Sequence, residues 1–352
     1  MQEYIDMGHM SLVNCETEDG YYLPHYAVTK VSSVTTKVRV VFDASARTHK
    51  GIPLNSALMV GPTIQLALFE QLLRFRSHVY VLTADIEKMY RQVLIHPEDR
   101  LYQPILWYHN DEIRVCGLNT MTFGVSSSAF LAIRTISQLT DDESTKFPCA
   151  SQILKRNLYV DNLLMGANSL EEILQIRNEV IELLRSGGFN MRQWASNHHH
   201  AFDNITEKMF DLDHAIEENP ILKTLGVVLN SQLDKFICTV NSIDLSIKIT
   251  KRSILANIAK ICDPLGLLGP IILSAKLIVQ DCWKIKIDWD EVVPQELYSR
   301  WSVYARQLEF IRDLNVDRRL LNENPIQIEI HGFGHASKRG YAACLTDSFL
   351  FV

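Results

Sequence analysis

The sequence predicts an α+β fold, and three observations carry that expectation. β-Branched residues crowd the stretch from Tyr26 to Phe42 (Val28, Val31, Val34, Thr35, Thr36, Val38, Val40 and Val41), a composition that favours strands. Elsewhere apolar residues recur at helical spacing, as in Ile173, Ile176, Val180, Ile181 and Leu184. Finally, 352 residues that are 47% hydrophobic and 22% charged suffice for about two domains with sizeable cores. That composition excludes a fibrous repeat or a disordered tail.

Taken in order, residues 1–20 hold Glu3, Asp6, Glu16, Glu18 and Asp19 without a Lys or Arg, and read as an acidic lead-in from upstream sequence. Gly51-Ile52-Pro53 and Gly61-Pro62 mark turns. Thr63 is expected to cap a helix running through Leu66, Phe69, Leu72 and Leu73. An apolar strand from His78 to Ala84 then delivers Asp85 at its end. Ser126 to Leu139 reads as a helix, and Asp141-Asp142-Glu143 as a solvated break. Leu158-Tyr159 and Leu163-Leu164-Met165 flank Asp161-Asn162 in the manner of a tight hairpin. Ser169 with Glu172 forms a capping box, and Gly187-Gly188 closes the helix it opens. Composition changes near 230–245, and a further helix runs from Thr250 to Asp263-Pro264. Asn322 to Pro325 reads as a linker, after which Ile326, Ile328 and Ile330 alternate with Gln327 and Glu329 as an amphipathic strand.

Charge and cysteine usage narrow the function classes. With 35 Lys and Arg against 41 Asp and Glu, the net charge is −6, so any nucleic-acid binding must come from a local basic groove. Residues 26–50 supply one candidate, with Lys30, Lys37, Arg39, Arg47 and Lys50 against Asp43 alone. The seven cysteines form no Cys-x-x-Cys pair, which suits a reducing compartment and argues against a disulfide framework or a zinc ribbon. Glu3 and Asp6 interrupt any signal peptide, and the apolar stretch Pro264 to Ala275 is too short to span a bilayer. The expectation is a soluble intracellular, cytoplasmic protein with no membrane partner.

Two carboxylates stand out by position. Asp85 ends a strand and Asp161 sits at a hairpin tip. Acidic side chains at the ends of adjacent buried strands can hold two magnesium ions that align a hydroxyl, a triphosphate and a leaving group. Each piece alone also has an ordinary reading, because Asp-Asn between apolar runs is a common turn signal and an Asp often ends a strand.

The combination is more specific. Asp85-Ile86-Glu87-Lys88-Met89-Tyr90 followed by Tyr159-Val160-Asp161-Asn162 resembles the first and third palm motifs of reverse transcriptases, most closely those of Pao/BEL long-terminal-repeat retrotransposons. Further segments follow in the family's order. Arg39 to Ala46 resembles its fingers motif, Thr122-Phe123-Gly124 its dNTP-side loop, and Arg192 to Asn197 with Leu225-Gly226 its later palm and primer grip. Asp263 to Leu268 and Asp288-Trp289-Asp290 resemble its connection segment.

The resemblance implies a right-hand polymerase, with fingers and palm over 21–230 and a thumb or connection region over 231–322. A truncated ribonuclease H-like start follows at 326–352, and residues 1–20 lead in from the upstream polyprotein. It implies RNA-directed DNA synthesis on an RNA template or a DNA/RNA hybrid from dNTPs. Other parts of the polyprotein are implied partners, and a virus-like particle is the implied location for an active element. Asp85 and Asp161 would bind Mg2+, Tyr90 would exclude a 2′-hydroxyl, and Arg39 would touch the triphosphate, with Lys30 a weaker candidate for that task. Phe123 and Gly124 would let the backbone approach the nucleotide.

Three positions depart from the family pattern. Asn162 stands where a second aspartate is usual in the catalytic hairpin, which predicts impaired synthesis and a preference for Mn2+. His335 stands where the first ribonuclease H aspartate is expected, and the remaining carboxylates of that domain would lie beyond Val352, so ribonuclease H activity is expected to be absent. Ser128 replaces a frequent proline.

Two rival readings remain. An aspartic peptidase would need Asp-Thr-Gly or Asp-Ser-Gly, and neither occurs. A nucleic-acid-binding relic that has lost catalysis stays open. His198-His199-His200 reads as a polar turn, since consecutive histidines do not share one face. Ser253 and the cysteines show no His and acid arrangement that would make a nucleophile.

Overall fold

The computed structural model describes residues 1–13, 21–29, 38–203, 221–240, 242–321 and 327–350. The Asn322–Pro325 linker, Lys30, Lys37 and residues 14–20 of the lead-in lie outside the described residues. The architecture is mixed α and β, with helices and several antiparallel sheets, and the chain divides into two compact units. The first comprises residues 1–66, 84–163 and 175–192, and the second residues 67–83, 164–174 and 193–352.

The first unit contains a three-stranded sheet of Met10–Leu12, Glu112–Leu118 and Pro104–His109, with the long strand in the middle. It also contains strands where β-branched composition favoured them: His25–Thr29 pairs with Val38–Phe42 from His25↔Phe42 to Thr29↔Val38, while Val31, Val34, Thr35 and Thr36 lie outside the described residues. Met10, Leu23, Phe42, Ile105, Cys116 and Leu118 bury their side chains together as its core. Residues 1–13, read as part of a lead-in, are thus built into this unit: Met10–Leu12 is a strand, and the helix Gln2–Asp6 precedes it.

Helix boundaries moved where a tertiary partner competed with the local signal. Thr63 caps nothing; the helix starts at Leu68 with Ala67 as its N-cap. The reason lies at Gln65, whose side chain accepts the Val160 N–H at 3.1 Å while residues 63–66 run without helix. Likewise Ser128–Asp142 is helical through Asp141 and Asp142, where a solvated break was expected. An ion pair from Lys155 to Asp141 supports that last turn. The Ser169 cap is present, accepting the Glu172 N–H at 3.2 Å, while the Glu172 carboxylate takes the Asn168 N–H instead of that of Ser169. Gly188, at φ +82, ends the helix Leu170–Ser186 as its glycine pair predicted.

A four-stranded sheet has the order Leu158–Tyr159, Asn162–Ala167, Tyr80–Ile86, Met191–Ser196. Residues 84–86, 158–163 and 191–192 of it count with the first unit.

In the second unit, Ile221–Thr224, Val227–Asn230, Lys235–Ile237 and Asn315–Asp317 form an antiparallel sheet in that order. Its Val227, Leu229 and Phe236 pack with Leu72, Phe75, Val81 and Leu164. A second core gathers Ile254, Ile258, Ala275, Ile278, Cys282 and Trp301 from the helices Lys251–Ile258, Gly269–Lys284 and Gln295–Gln307. Thr250 and Ser253 form the reciprocal capping box of the first of these. That helix ends at Ile258 rather than reaching Asp263-Pro264. The Asp263 carboxylate instead accepts the Leu267 and Leu268 N–H groups at 2.8 and 2.7 Å, ordering the loop before the next helix. Gln327–Ala336 pairs with Tyr341–Leu350 as a two-stranded sheet, and Ile328 and Ile330, the apolar members of the alternation, are exposed.

Arg318 ties the second unit together. It is fully buried, with Nε and Nη2 donating to the two Asp234 carboxylate oxygens at 2.6 and 2.7 Å and Nη1 to the Phe75 carbonyl at 2.7 Å. Arg76, also buried, donates to the Arg318 and Asp317 carbonyls. Asp234→Ala strands the guanidinium without its counter-charge and is expected to cost about 3 kcal/mol. The urea midpoint should drop accordingly, and an unchanged midpoint would show that the pair carries no stability.

Candidate functional site

The site is built from the ends of strands in the first unit. In the register Leu158↔Leu163 and Tyr159↔Asn162, Val160-Asp161 is a two-residue loop, so Asp161 stands at the hairpin tip and Asn162 begins the returning strand. Val160 has φ +56, a conformation that a β-branched residue adopts at a cost on the order of 1–3 kcal/mol. Gln65 holds it there through the Val160 N–H. Next to the hairpin, the Ile86 N–H donates to the Asp161 carbonyl at 2.8 Å, which brings the Asp85 end of the strand Tyr80–Ile86 beside the tip.

Asp85 feels the charge of Asp161. Asp85 is pushed up to about 7, first by burial and then by the Asp161 charge, against the opposing pull of the Arg192 guanidinium. Burial also raises Asp161, while a hydrogen bond from the Asn162 amide to Asp161 Oδ1, at 2.8 Å, works the other way. Arg192 Nη1 lies 2.7 Å from Glu87 Oε1, so the guanidinium that pulls Asp85 down is paired with a second acid two residues on.

Tyr90 reaches the same place by a sharp reversal. Lys88 takes φ +47, and the four-residue helix Met89–Gln92 follows it. The Tyr90 phenol is raised by burial and by the charge of Asp161, and its ring packs on Phe123 with centroids 4.6 Å apart. The Phe123 loop is fixed in turn: Gly124 has φ +91, and a Cβ there would sit 1.9 Å from the Phe42 carbonyl oxygen. Only glycine fits so close an approach. Asn55 completes the loop, donating to the Gly124 carbonyl and Ser45 Oγ and accepting the Ser126 N–H. Ser128, at the expected proline position, uses its hydroxyl to hold the Thr122 carbonyl at 2.7 Å.

The structure therefore gathers Asp85, Asp161, Asn162, Tyr90, Phe123 and Gly124. Arg39 lies exposed on the strand Val38–Phe42 opposite Val28, and among the described residues it has no hydrogen bond or ion pair to these groups. His335 is exposed in the second unit, opposite Ala342. His198 precedes a short 3-10 turn, His199–Phe202, in which His200 pairs with Asp203, and the His198 ring stacks on that of His199. Sequence reasoning missed Gln65, Asn55, Arg91 and the Glu87–Arg192 pair. Glu87 and Arg192 stood inside quoted motifs, whereas nothing local to Gln65 or Asn55 distinguishes a polar loop residue from a clamp.

The donor set fits a hard divalent cation. Asp85 Oδ1 is buried without a hydrogen-bond partner, and a carboxyl titrating near neutrality in a pair is relieved by a cation. Among the described residues no three His, Cys, Asp or Glu side chains converge as a metal group. Two carboxylates with substrate and water oxygens are the usual provision for magnesium.

Residues 250–348 match the family model described as the Pao retrotransposon-like RNaseH-like domain. The match supports a region of a Pao/BEL retrotransposon polyprotein, with an RNaseH-like domain toward its C-terminus. No curated protein matches the chain. The matched segment holds the Thr250 capping box, the Asp263 loop and the C-terminal hairpin that carries His335. It also holds Lys251, whose ammonium lies 4.1 Å from the ring centre of Trp283 and 4.8 Å from that of Trp289. No helix of the described residues is long and apolar enough to cross a membrane.

A raised carboxyl holds a proton in the folded chain that the unfolded chain has already lost. Stability contributed by Asp85 is thus present below about pH 4 and is lost as pH rises toward its folded value of about 7. Allowing for solvent screening of a side chain that is not fully buried, the loss should be about 2 kcal/mol. Denaturant titrations in chelator across that range should show the decline, and Asp85→Asn should flatten it. An equal decline in both proteins would remove Asp85 as its source.

Proposed function

We propose that this chain is an RNA-directed DNA polymerase of the Pao/BEL type, with fingers and palm over residues 21–230, a thumb or connection region over 231–322 and a ribonuclease H-like start at 326–352. Its reaction is transfer of a nucleotide from a dNTP to a primer 3′-hydroxyl on an RNA template or a hybrid. The observation that supports this reading is the juxtaposition of Asp85 and Asp161, close enough that the Asp161 charge makes Asp85 harder to ionise, with Tyr90 standing near enough to feel the same charge.

Asp85 and Asp161 are the residues that would hold magnesium, which supplies charge stabilisation at the transferred phosphorus and acidifies the attacking hydroxyl. The chain's own residues set the conditions. Asp85 must give up the proton that burial and its neighbour favour. Tyr90, backed by the Phe123 ring, fills the space that a 2′-hydroxyl would need. Gly124 keeps its loop flat against the Phe42 backbone, leaving the nucleotide side clear of a Cβ. Arg39, exposed on its strand, is free to meet triphosphate oxygens.

A second reading, a relic that binds nucleic acid without extending it, is favoured by Asn162. Its amide donates to Asp161 Oδ1, occupying an oxygen of one of the two carboxylates with a neutral partner.

Extension of a DNA primer on an RNA template separates the two. Loss of a charged ligand worth ~3 kcal/mol slows extension by about 10²-fold. Asn162→Asp should therefore gain about that much in magnesium and less in manganese, which tolerates neutral ligands better. Equal activity of both proteins in magnesium would clear Asn162, and two folded but inactive proteins would favour the relic.

Tyr90→Ala should admit ribonucleotides, because ring volume rather than a hydrogen bond excludes them. Discrimination between dNTP and rNTP that stays unchanged in an active background would remove Tyr90 as the gate.

A further inference from the structure

A buried cation follows Tyr90 in the same short helix. Arg91 is 4% exposed, yet among the described residues no carboxylate pairs with it. Its guanidinium lies over the Tyr4 ring, 4.4 Å from the centroid, and 5.4 Å from that of Phe42. Nη2 donates to Thr122 Oγ1 at 2.8 Å, and Nη1 is buried without a hydrogen-bond partner. A buried charge compensated by two aromatic faces, the Thr122 hydroxyl and the polar end of Tyr4, with no carboxylate among the described residues, is expensive, and an apolar side chain of the same length would fold more cheaply.

What the arginine does is legible from the pieces it joins. Tyr90 sits on a helix of four residues, too short to hold its own orientation. The direction of the Tyr90 ring must therefore be imposed through its neighbours, and of these Met89 and Arg91 are buried. Through Thr122, Arg91 grips the residue before Phe123, the ring against which Tyr90 packs. Through Phe42 it reaches the residue whose carbonyl oxygen presses on Gly124. Through Tyr4 it reaches the N-terminal helix Gln2–Asp6, where Glu3 also pairs with Lys88 at 3.4 Å. One guanidinium thus links the Tyr90 turn, the 122–124 loop, the strand Val38–Phe42 and the chain's first helix.

We infer that Arg91, seated on Tyr4, is a specificity-positioning residue: it locks the Tyr90–Phe123 pair at a fixed distance from Asp161 and thereby sets sugar discrimination, without touching the nucleotide itself. The inference rests on the polymerase reading of the same site. It makes residues 1–6 part of the selectivity apparatus.

The test measures nucleotide binding rather than turnover, using fluorescent dATP and ATP analogues with manganese on the full chain and on its Arg91→Met, Thr122→Val and Tyr90→Ala variants. Arg91→Met should lower the preference for the deoxynucleotide by about tenfold, mainly by tightening the ribonucleotide, with dATP affinity little changed. Thr122→Val keeps the shape of the loop and removes only the hydroxyl, so it should lose about threefold even if Arg91→Met does not fold. Arg91→Lys, which restores charge and a donor, should recover part of the preference, as a purely structural loss would not. If Tyr90→Ala abolishes discrimination while folded Arg91→Met and Thr122→Val both keep it, the inference is overturned and the polymerase reading stands. If the unaltered chain binds neither nucleotide, or binds both alike, the polymerase reading fails and this inference falls with it.

Discussion

The hydrogen bond from the Ile86 N–H to the Asp161 carbonyl sets a strand end against a hairpin tip and forces two carboxyl groups of like charge together. Backbone pairing decides this, not any attraction between the side chains, whose ionisation it makes harder. Much of the local structure serves to keep the arrangement from relaxing. Gln65 holds the strained Val160, the Asn162 amide steadies Asp161, and Arg192 draws the Asp85 value down while remaining paired with Glu87. A site that stores unfavourable ionisation in a rigid backbone is disposed to accept a cation.

Two buried arginines show how the same residue type solves different problems. Arg318, in the second unit, is neutralised by both oxygens of Asp234 and satisfied by backbone carbonyls, so its burial strengthens the junction of a helix with a sheet. Arg91, in the first, has aromatic faces, the Thr122 hydroxyl and the polar end of Tyr4 in place of a carboxylate. The first arrangement is a structural ion pair; the second leaves a donor unused next to the candidate site.

Legibility in the sequence followed the range of the interaction. The hairpin at Asp161, the Ser169 cap, the helix start at Thr250 and the glycine stop at 187–188 were readable because each depends on residues within a few positions. Thr63 misled, since Gln65 answers to Val160 rather than to its own neighbours. Ile328 and Ile330 showed a strand's alternation truthfully, but alternation does not say whether the apolar face is covered. Arg91 and Arg318 read as surface charge in any composition count, although both are buried.

By itself the sequence determined the identity and order of the chemical groups: Asp85 at a strand end, Asp161 at a turn, Tyr90 five positions past Asp85, and a neutral Asn162 where an acid would be usual. Local backbone preferences act over a few residues, and those positions are set by such preferences. Only the tertiary structure decided which of these groups meet, that Arg39 is exposed on its strand, and that Tyr4 and Thr122 hold Arg91 next to Tyr90. Those outcomes depend on burial and on hydrogen bonds between residues far apart in the chain, and no local pattern encodes the free energy of a contact whose partner lies elsewhere.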